Sequence, residues 1–223
     1  MTDKGSRAEL YEYLAKVGKA LGNGKRLELI ELLMQGPRGV VELAEAAGLG
    51  VTTTSAHLQT LKQAGLVAAE RAGTTIRYRI VAPDVAALYA QLLDVAVSHS
   101  ADVDAAARRY LGPDDAEHIG RDELLRRVRD GRAMVLDVRP AFEYAAGHIP
   151  DAVSIPMAEL AERLDELPEG LEIVAYCRGT YCTFSHDAVE LLSARGRRAV
   201  RLADGIVGWQ ASGRRLSTIT AGT

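Results

Sequence analysis

Both cysteines of the chain fall in one short stretch, Ala175-Tyr176-Cys177-Arg178-Gly179-Thr180-Tyr181-Cys182-Thr183. An apolar run from Leu171 to Tyr176 leads into it and an amphipathic pattern from Phe184 to Leu192 leads out, which predicts a tight strand-to-helix loop. A thiol placed there lies under the positive end of a helix dipole, beside backbone amides that curl around an anion. Both features lower a thiol pKa and favour the thiolate. Gly179 supplies the backbone freedom for such a nest and Arg178 the charge. Nucleophilic sulfur chemistry at Cys177 is the reading this pattern supports, with packing of a small residue at a strand end as its plain alternative. In a reducing compartment, two cysteines five positions apart argue for chemistry rather than a permanent disulfide.

The elements that would hold this loop are legible around it. A short helix, Asp122 to Asp130, ends at Gly131. Ala133-Met134-Val135-Leu136-Asp137-Val138 is a continuous apolar run, expected of a strand buried on both faces of a parallel sheet. A helix from Met157 to about Leu164, the strand into Cys177, the helix after it and a strand from Ala199 to Leu202 follow. Strand and helix alternate, so this half is an α/β domain, and its ligands belong at the carboxyl ends of the strands. Asp137 and Arg139, at a neighbouring strand end, either line the site or tie their loop to the sheet.

The front half is built differently. Ser6-Arg7-Ala8-Glu9 is a capping box before Leu10, Leu14, Val17 and Leu21 at helical spacing. Gly22-Asn23-Gly24 breaks that helix, and Leu27, Ile30 and Leu33 mark a second, closed by Gly36-Pro37. Two short helices then meet at Gly48-Leu49-Gly50. Leu43 and Ala47 of the first, and Val51, Leu58 and Leu61 of the second, are expected inward. Thr53, Thr54, Ser55, His57, Gln59 and Lys62 are left for the outer face, where hydroxyls, an amide, an imidazole and a lysine suit base edges and phosphates in a major groove. A solvated face would look similar. Leu66 to Glu70 and Thr75 to Ile80 alternate like hairpin arms around Arg71-Ala72-Gly73-Thr74, with Arg77 and Arg79 on the return arm. A helix-turn-helix followed by a basic ribbon is a winged helix-turn-helix, mainly α.

Composition fits two modules. The chain has 223 residues, 48% hydrophobic and 26% charged, enough for two small cores. All five lysines (Lys4, Lys16, Lys19, Lys25, Lys62) lie in the front part, whereas the rear relies on arginine. No apolar run reaches membrane-spanning length and Met1 to Arg7 is polar, so a cytoplasmic protein without a membrane partner is expected. The reading divides the chain into a winged helix-turn-helix DNA-binding domain over 1–100, a linker over 101–116 broken at Leu111-Gly112-Pro113-Asp114-Asp115, and an α/β domain over 117–223.

Arg26-Leu27-Glu28-Leu29-Ile30, Glu42-Leu43-Ala44 and His57-Leu58-Gln59-Thr60-Leu61-Lys62-Gln63-Ala64-Gly65-Leu66-Val67 resemble the arsenic-repressor (ArsR) family of bacterial winged-helix regulators. The resemblance implies a homodimer built from first and last helices, each recognition helix reading half of an inverted repeat in double-stranded DNA. Pro83 suits the first turn of the last helix, whose stripe Val85, Leu88, Leu92 and Val95 would bury against a partner or within the subunit. Many members sense metals through cysteines before the recognition helix, and Glu42 to Ala47 has none. His99 and Asp102 are two potential ligands at the end of the last helix, too few for a closed site, so no metal is expected.

Val135-Leu136-Asp137-Val138-Arg139-Pro140, Glu143-Tyr144-Ala145-Ala146-Gly147-His148-Ile149-Pro150, the Cys177 loop and Asp204-Gly205-Ile206-Val207-Gly208-Trp209 resemble the rhodanese domain, with a central parallel sheet. Asp151 stands where that family usually has glycine. The resemblance implies that Cys177 is the catalytic nucleophile, taking sulfur from thiosulfate, polysulfide or a thiol persulfide as a persulfide. Arg178, Gly179, Thr180, Tyr181 and Thr183 would form the loop that holds it, with no cofactor. Related oxyanion-binding loops end in arginine where this chain has Thr183, which disfavours phosphatase or arsenate-reductase chemistry. Cys182 is either a small packed residue or a second thiol that resolves the Cys177 persulfide to a di- or polysulfide. The combined expectation is a DNA-binding regulator, in the sense of a repressor, that senses reactive sulfur. The alternatives are a sulfurtransferase whose winged helix serves dimerisation, and soft-metal (arsenite) sensing by Cys177 and Cys182.

Overall fold

The computed structural model describes residues 6–112 and 117–219. The chain falls into two compact units, Met1–Val85 and Ala86–Thr223.

In the first unit, α1 (Arg7–Leu21) starts where the Ser6 hydroxyl accepts the Glu9 amide at 3.1 Å, as the capping box requires. α2 (Gly24–Met34) is capped by the Asn23 side chain and buries Leu29, Ile30, Leu32 and Leu33. α3 (Val40–Ala46) and α4 (Val51–Gln63) form the helix-turn-helix, with Gly48 in the left-handed region between them at φ 61°. β2 (Val67–Ala72) and β3 (Thr75–Ile80) make the hairpin of the wing, closed by Gly73-Thr74 with Ala72 opposite Thr75. A two-residue strand, β1 (Arg38–Gly39), completes a three-stranded sheet in the order β1-β3-β2. It follows Gly36-Pro37, where sequence marked only a helix stop.

α5 (Pro83–His99) and α6 (Ala101–Leu111) replace the single continued helix expected after Ser98. Ser100 at φ −128°, ψ 106° breaks the helical path between them. The two units divide at Val85–Ala86, inside α5, and Leu93, Asp94 and Val97 of α5 line a cleft of the second unit. Residues 113–116, the end of the expected linker, lie outside the described residues.

The second unit is a five-stranded, all-parallel sheet ordered β4-β8-β7-β5-β6, where β4 is His118–Ile119, β5 Ala133–Asp137, β6 Val153–Ser154, β7 Glu172–Tyr176 and β8 Ala199–Leu202. α7 (Arg121–Arg129), α8 (Ala141–Ala146), α9 (Met157–Leu160), α10 (Phe184–Ala194) and α11 (Gly205–Ala211) connect the strands. α9 is one turn long and ends before the expected Leu164. Strand periodicity sorts β7 between two cores. Val174 and Tyr176 pack with Val135, Val200, Ile206 and Trp209, while Ile173, Ala175 and Cys177 pack with Ala188, Val189 and Leu192 of α10. That alternation decides which face of the sheet Cys177 occupies. Asp151 adopts φ 64°, the conformation that favours glycine, where the family usually has one.

Candidate functional site

Cys177 follows the last residue of β7, the strand between β5 and β8, and Cys182 lies two residues before the start of α10. The strand-to-helix loop expected from the sequence is present. α11 fixes it from the other side: the Ile206 and Val207 amides donate to the Cys177 and Arg178 carbonyls at 3.1 and 3.0 Å. Gly205 permits this approach, since a Cβ there would sit 2.6 Å from the Cys177 carbonyl oxygen and 2.9 Å from the Gly179 nitrogen.

The two sulfurs are in different surroundings. Cys177 is 1% exposed. Its Sγ lies 3.3 Å from the Cys182 carbonyl oxygen, 3.8 Å from that of Gly179 and 3.2 Å from the Ser185 hydroxyl. Burial pushes the Cys177 thiol well above its usual range, and its hydrogen bond to Cys182 adds to this. Cys182 is half-buried; its sulfur accepts from the Cys177 thiol and from the Arg178 and Phe184 amides, which brings its pKa down to about 7 against the opposing effect of burial. Two carbonyl oxygens facing Cys177 favour an S–H donor there, while the Ser185 hydroxyl and amide act in the opposite sense and favour its thiolate. Burial thus opposes a thiolate on Cys177 in this loop, whereas the Cys177 thiol first, and then the Arg178 and Phe184 amides, favour charge on Cys182.

Arg178 does not stand over the loop as a solvated charge. It forms a bidentate pair with Glu143, a fully buried carboxylate of α8, and its guanidinium lies 5.5 Å from the Phe184 ring centre. Asp137 and Arg139 are a fully buried ion pair at 2.6 Å. Arg139 also donates to the Gly147 carbonyl, and Tyr176, whose side chain lies on the opposite face of the sheet from Cys177, donates to Asp137 and accepts the Ile149 amide. Of the two readings of Asp137 and Arg139, tying the neighbouring loop to the sheet is the one this geometry matches. Thr183 is the residue before α10 and makes no side-chain cap bond. Thr180 is exposed, and Tyr181 is half-buried in a cleft of about 1050 Å³ whose other walls include Leu93, Asp94 and Val97 of α5 and Asp104 and Arg108 of α6. Burial raises the Tyr181 phenol pKa, and Asp104 and Asp94 raise it further.

Sequence reasoning missed Glu143, Ser185 and the cleft around Tyr181. Ser185, in the first turn of α10, is eight residues after Cys177, a spacing that could have drawn attention to it. Glu143 lies in a quoted motif, yet nothing local links it to Arg178.

On the first unit, α4 exposes Thr53, Gln59 and Lys62 and half-exposes Ser55 and His57. Thr54 is a correction: it is fully buried, its hydroxyl donating to the Gly50 carbonyl at 3.0 Å, so its methyl packs inward with Leu58 and Leu61. Val51, expected inward, is 47% exposed, because side chains lean toward the helix N-terminus and the first residue projects past the packed turn. Gln59 reaches the Tyr78 hydroxyl at 3.3 Å. In the wing, Arg71 is exposed, Arg79 pairs with Glu70 across the strands, and Arg77 donates to the Pro37 carbonyl at 2.5 Å, 3.8 Å from Glu42. His99 is exposed at the end of α5. Among the described residues, no group of three or more His, Cys, Asp and Glu side chains converges on a metal position, and no helix is long and apolar enough to cross a membrane.

Residues 23–69 match the model of the bacterial regulatory protein arsR family, and residues 120–212 match the rhodanese-like domain. The HTH-type transcriptional regulator Rv0324 of Mycobacterium tuberculosis is 51% identical over 208 residues, 93% of this chain and 91% of that protein. The chain belongs to the ArsR family of transcriptional regulators. This ArsR-family regulator is DNA-binding through its winged helix and carries a rhodanese-like domain at its C-terminal end. Its rear half is similar to a sulfurtransferase of Allochromatium vinosum, 32% identical over 96 residues, 43% of this chain and 89% of that protein. Its front half is similar to the solution structure of a homodimeric winged helix-turn-helix DNA-binding domain of Mycobacterium bovis, with 48% identity, 45% of this chain, 94% of that chain and a TM-score of 0.41.

Proposed function

We propose that this regulator senses sulfane sulfur at the Cys177–Cys182 pair and releases its operator when the pair reacts. The observation that carries the reading is a pair of cysteines in the strand-to-helix loop of a rhodanese-like domain, with Cys177 Sγ 3.3 Å from the Cys182 carbonyl oxygen. The similarity of this half to a sulfurtransferase supports sulfur as the element handled. The donors are thiosulfate, polysulfide or a thiol persulfide. Exchange leaves a persulfide on Cys177 and releases the donor's remaining thiolate or sulfite. Attack of Cys182 on the inner sulfur then forms a Cys177–Cys182 disulfide and expels hydrosulfide, with no further oxidant required.

The winged helix binds an inverted repeat in double-stranded DNA as a homodimer in the cytoplasm. Apolar residues left exposed on α1 (Leu10, Tyr11, Tyr13, Leu14) and α5 (Leu88, Val95) support the dimer. Tyr181 supports a route for the signal: it sits between the two cysteines in sequence and lines a cleft with α5, the helix that joins the two units. A mobility shift with stoichiometric polysulfide tests the proposal. Wild-type protein should release DNA, and Cys177→Ser should bind equally well and fail to respond; equal release by that variant refutes the sensing role.

A further inference from the structure

We infer that the Ser185 hydroxyl is a working part of the sulfur site: it donates a hydrogen bond to Cys177 Sγ and holds negative charge on that sulfur when it attacks a donor and when it leaves. The inference rests on the proposed sulfur chemistry at Cys177 and adds to it a residue outside the loop from Cys177 to Thr183.

Ser185 is the second residue of α10 and is 2% exposed. Its hydroxyl oxygen lies 3.2 Å from Cys177 Sγ, and among the described residues that sulfur is its one hydrogen-bond partner. A hydroxyl on a helix commonly turns back to the carbonyl four residues earlier. Thr54 and Thr60 of α4 do so, toward Gly50 and Ala56, whereas Ser185 turns to the sulfur instead. Burying a hydroxyl is unfavourable unless it is bonded, and alanine suits a helix interior better than serine. A buried serine whose bond goes to a nucleophilic sulfur therefore points to a role at that sulfur.

The direction of the bond follows from the other contacts. The Cys182 and Gly179 carbonyl oxygens, 3.3 and 3.8 Å from the same sulfur, only accept, so they take the thiol proton. That leaves the Ser185 hydroxyl to donate. Once the proton has gone, the two carbonyls offer the thiolate no bond, and Ser185 supplies the side-chain donor. Its amide, in the first turn of α10 where such groups have no partner within the helix, acts in the same sense, and both oppose the effect of burial. Cys182, in the same loop, is the titratable group that acts on Cys177. The adjoining Arg178 is paired with Glu143, and β5 and α10 pack apolar Leu136, Ala188 and Val189 into the core cluster that holds Cys177.

The donor serves both directions of sulfur transfer. In loading, the Cys177 thiolate attacks the outer sulfur of a thiol persulfide; a Cys177 S–S bond forms, the donor S–S bond breaks, and the donor leaves as a thiolate. In delivery, an acceptor thiolate attacks the outer sulfur of the Cys177 persulfide, and Cys177 leaves as the thiolate. The charge that Ser185 faces is consumed in the first step and regenerated in the second, and neither step needs an oxidant.

The test uses the full-length protein and peptide mass spectrometry that reads Cys177 separately from Cys182. In Ser185→Ala the pH midpoint for alkylation of Cys177 by iodoacetamide should rise by about one unit, and loading by one equivalent of glutathione persulfide at pH 7 should slow about 10-fold. Ser185→Thr keeps the hydroxyl and should load within about 3-fold of the wild-type rate. The inference is overturned if Ser185→Ala keeps the wild-type midpoint and loading rate, or if both variants are slowed equally, which is the result expected of a packing role. If the wild-type protein takes no sulfur on Cys177, the sensing proposal falls, and a raised alkylation midpoint in Ser185→Ala separately upholds the hydrogen bond to the thiolate.

Discussion

Arg178 is bound to Glu143 through both of its facing nitrogens: Nε lies 3.1 Å from each carboxylate oxygen and Nη2 lies 2.6 Å from Oε1. Glu143 is fully buried, whereas the Arg178 side chain keeps 22% of its exposure. Removing one partner of a buried pair costs roughly 3–5 kcal/mol because the other charge stays in a poor solvent. Screening at the partly exposed arginine reduces this to about 2–3 kcal/mol. Arg178→Ala should therefore lose about that much unfolding free energy in urea, and adding Glu143→Gln should restore more than half. A variant of undiminished stability that had lost only affinity for thiosulfate would instead place Arg178 on the donor.

Gly205 is constrained in the same loop. At φ 54° an alanine is strained by about 1–2 kcal/mol, and its Cβ would also strike the Cys177 carbonyl and the Gly179 amide, backbone atoms that cannot rotate away. Gly205→Ala should cost at least about 3 kcal/mol in total. It should also speed iodoacetamide labelling of Cys177 as the loop is pushed off α11. Wild-type labelling rates in a folded variant would contradict the role given to Gly205.

These two positions show where the sequence was readable. The parallel sheet was legible because buried strands such as Ala133–Asp137 are continuous apolar runs, and the Cys177 loop because glycine and charge interrupt such a run. The Arg178–Glu143 pair spans 35 residues, and no local pattern joins groups that meet only through the strand order. Thr54 was misplaced for a different reason. Polarity assigned it to the outer face, but a threonine hydroxyl that bonds the carbonyl four residues back leaves a methyl group able to enter the core. The break at Ser100 left no glycine or proline as a signal.

The Cys182 pKa of about 7 has a direct consequence for reactivity with pH. The groups facing its sulfur are Cys177, Arg178 and the amides of Arg178 and Phe184. The thiolate is the reactive form, so Cys182 alkylation should rise as pH passes upward through about 7 and level off above it. An ordinary thiol would still be climbing at pH 8. In Cys177→Ala, which removes the thiol that donates to this sulfur, the midpoint should move upward. An unchanged midpoint would mean that the amides suffice.

On the DNA-binding side, the basic residues are not equivalent. Lys62 and Arg71 are exposed, while Arg77 donates to the Pro37 carbonyl and lies near Glu42. Each phosphate contact contributes about 0.9 to the slope of log affinity against log salt. Lys62→Ala and Arg71→Ala should each lower that slope by about 1 in anisotropy titrations over several salt concentrations. Arg77→Ala removes a tie between β3 and the chain before β1, so it should reduce stability more than it changes the slope.

Tyr181 separates sulfur chemistry from its readout. Its side chain lines the cleft shared with Leu93, Asp94 and Val97 of α5. The proposed Cys177–Cys182 bond would change the loop that carries this half-buried phenol against those α5 residues. Removing the ring while leaving the thiols intact should uncouple the two events. Tyr181→Ala should form the Cys177–Cys182 species as fast as the wild-type protein, by mass spectrometry, and bind operator DNA with wild-type affinity in the reduced state. On adding polysulfide, its DNA affinity should fall less than about 3-fold, whereas a wild-type coupling of 1–3 kcal/mol corresponds to about 5- to 150-fold. Full release by the variant would show that the signal reaches the winged helix by a route that does not involve this side chain.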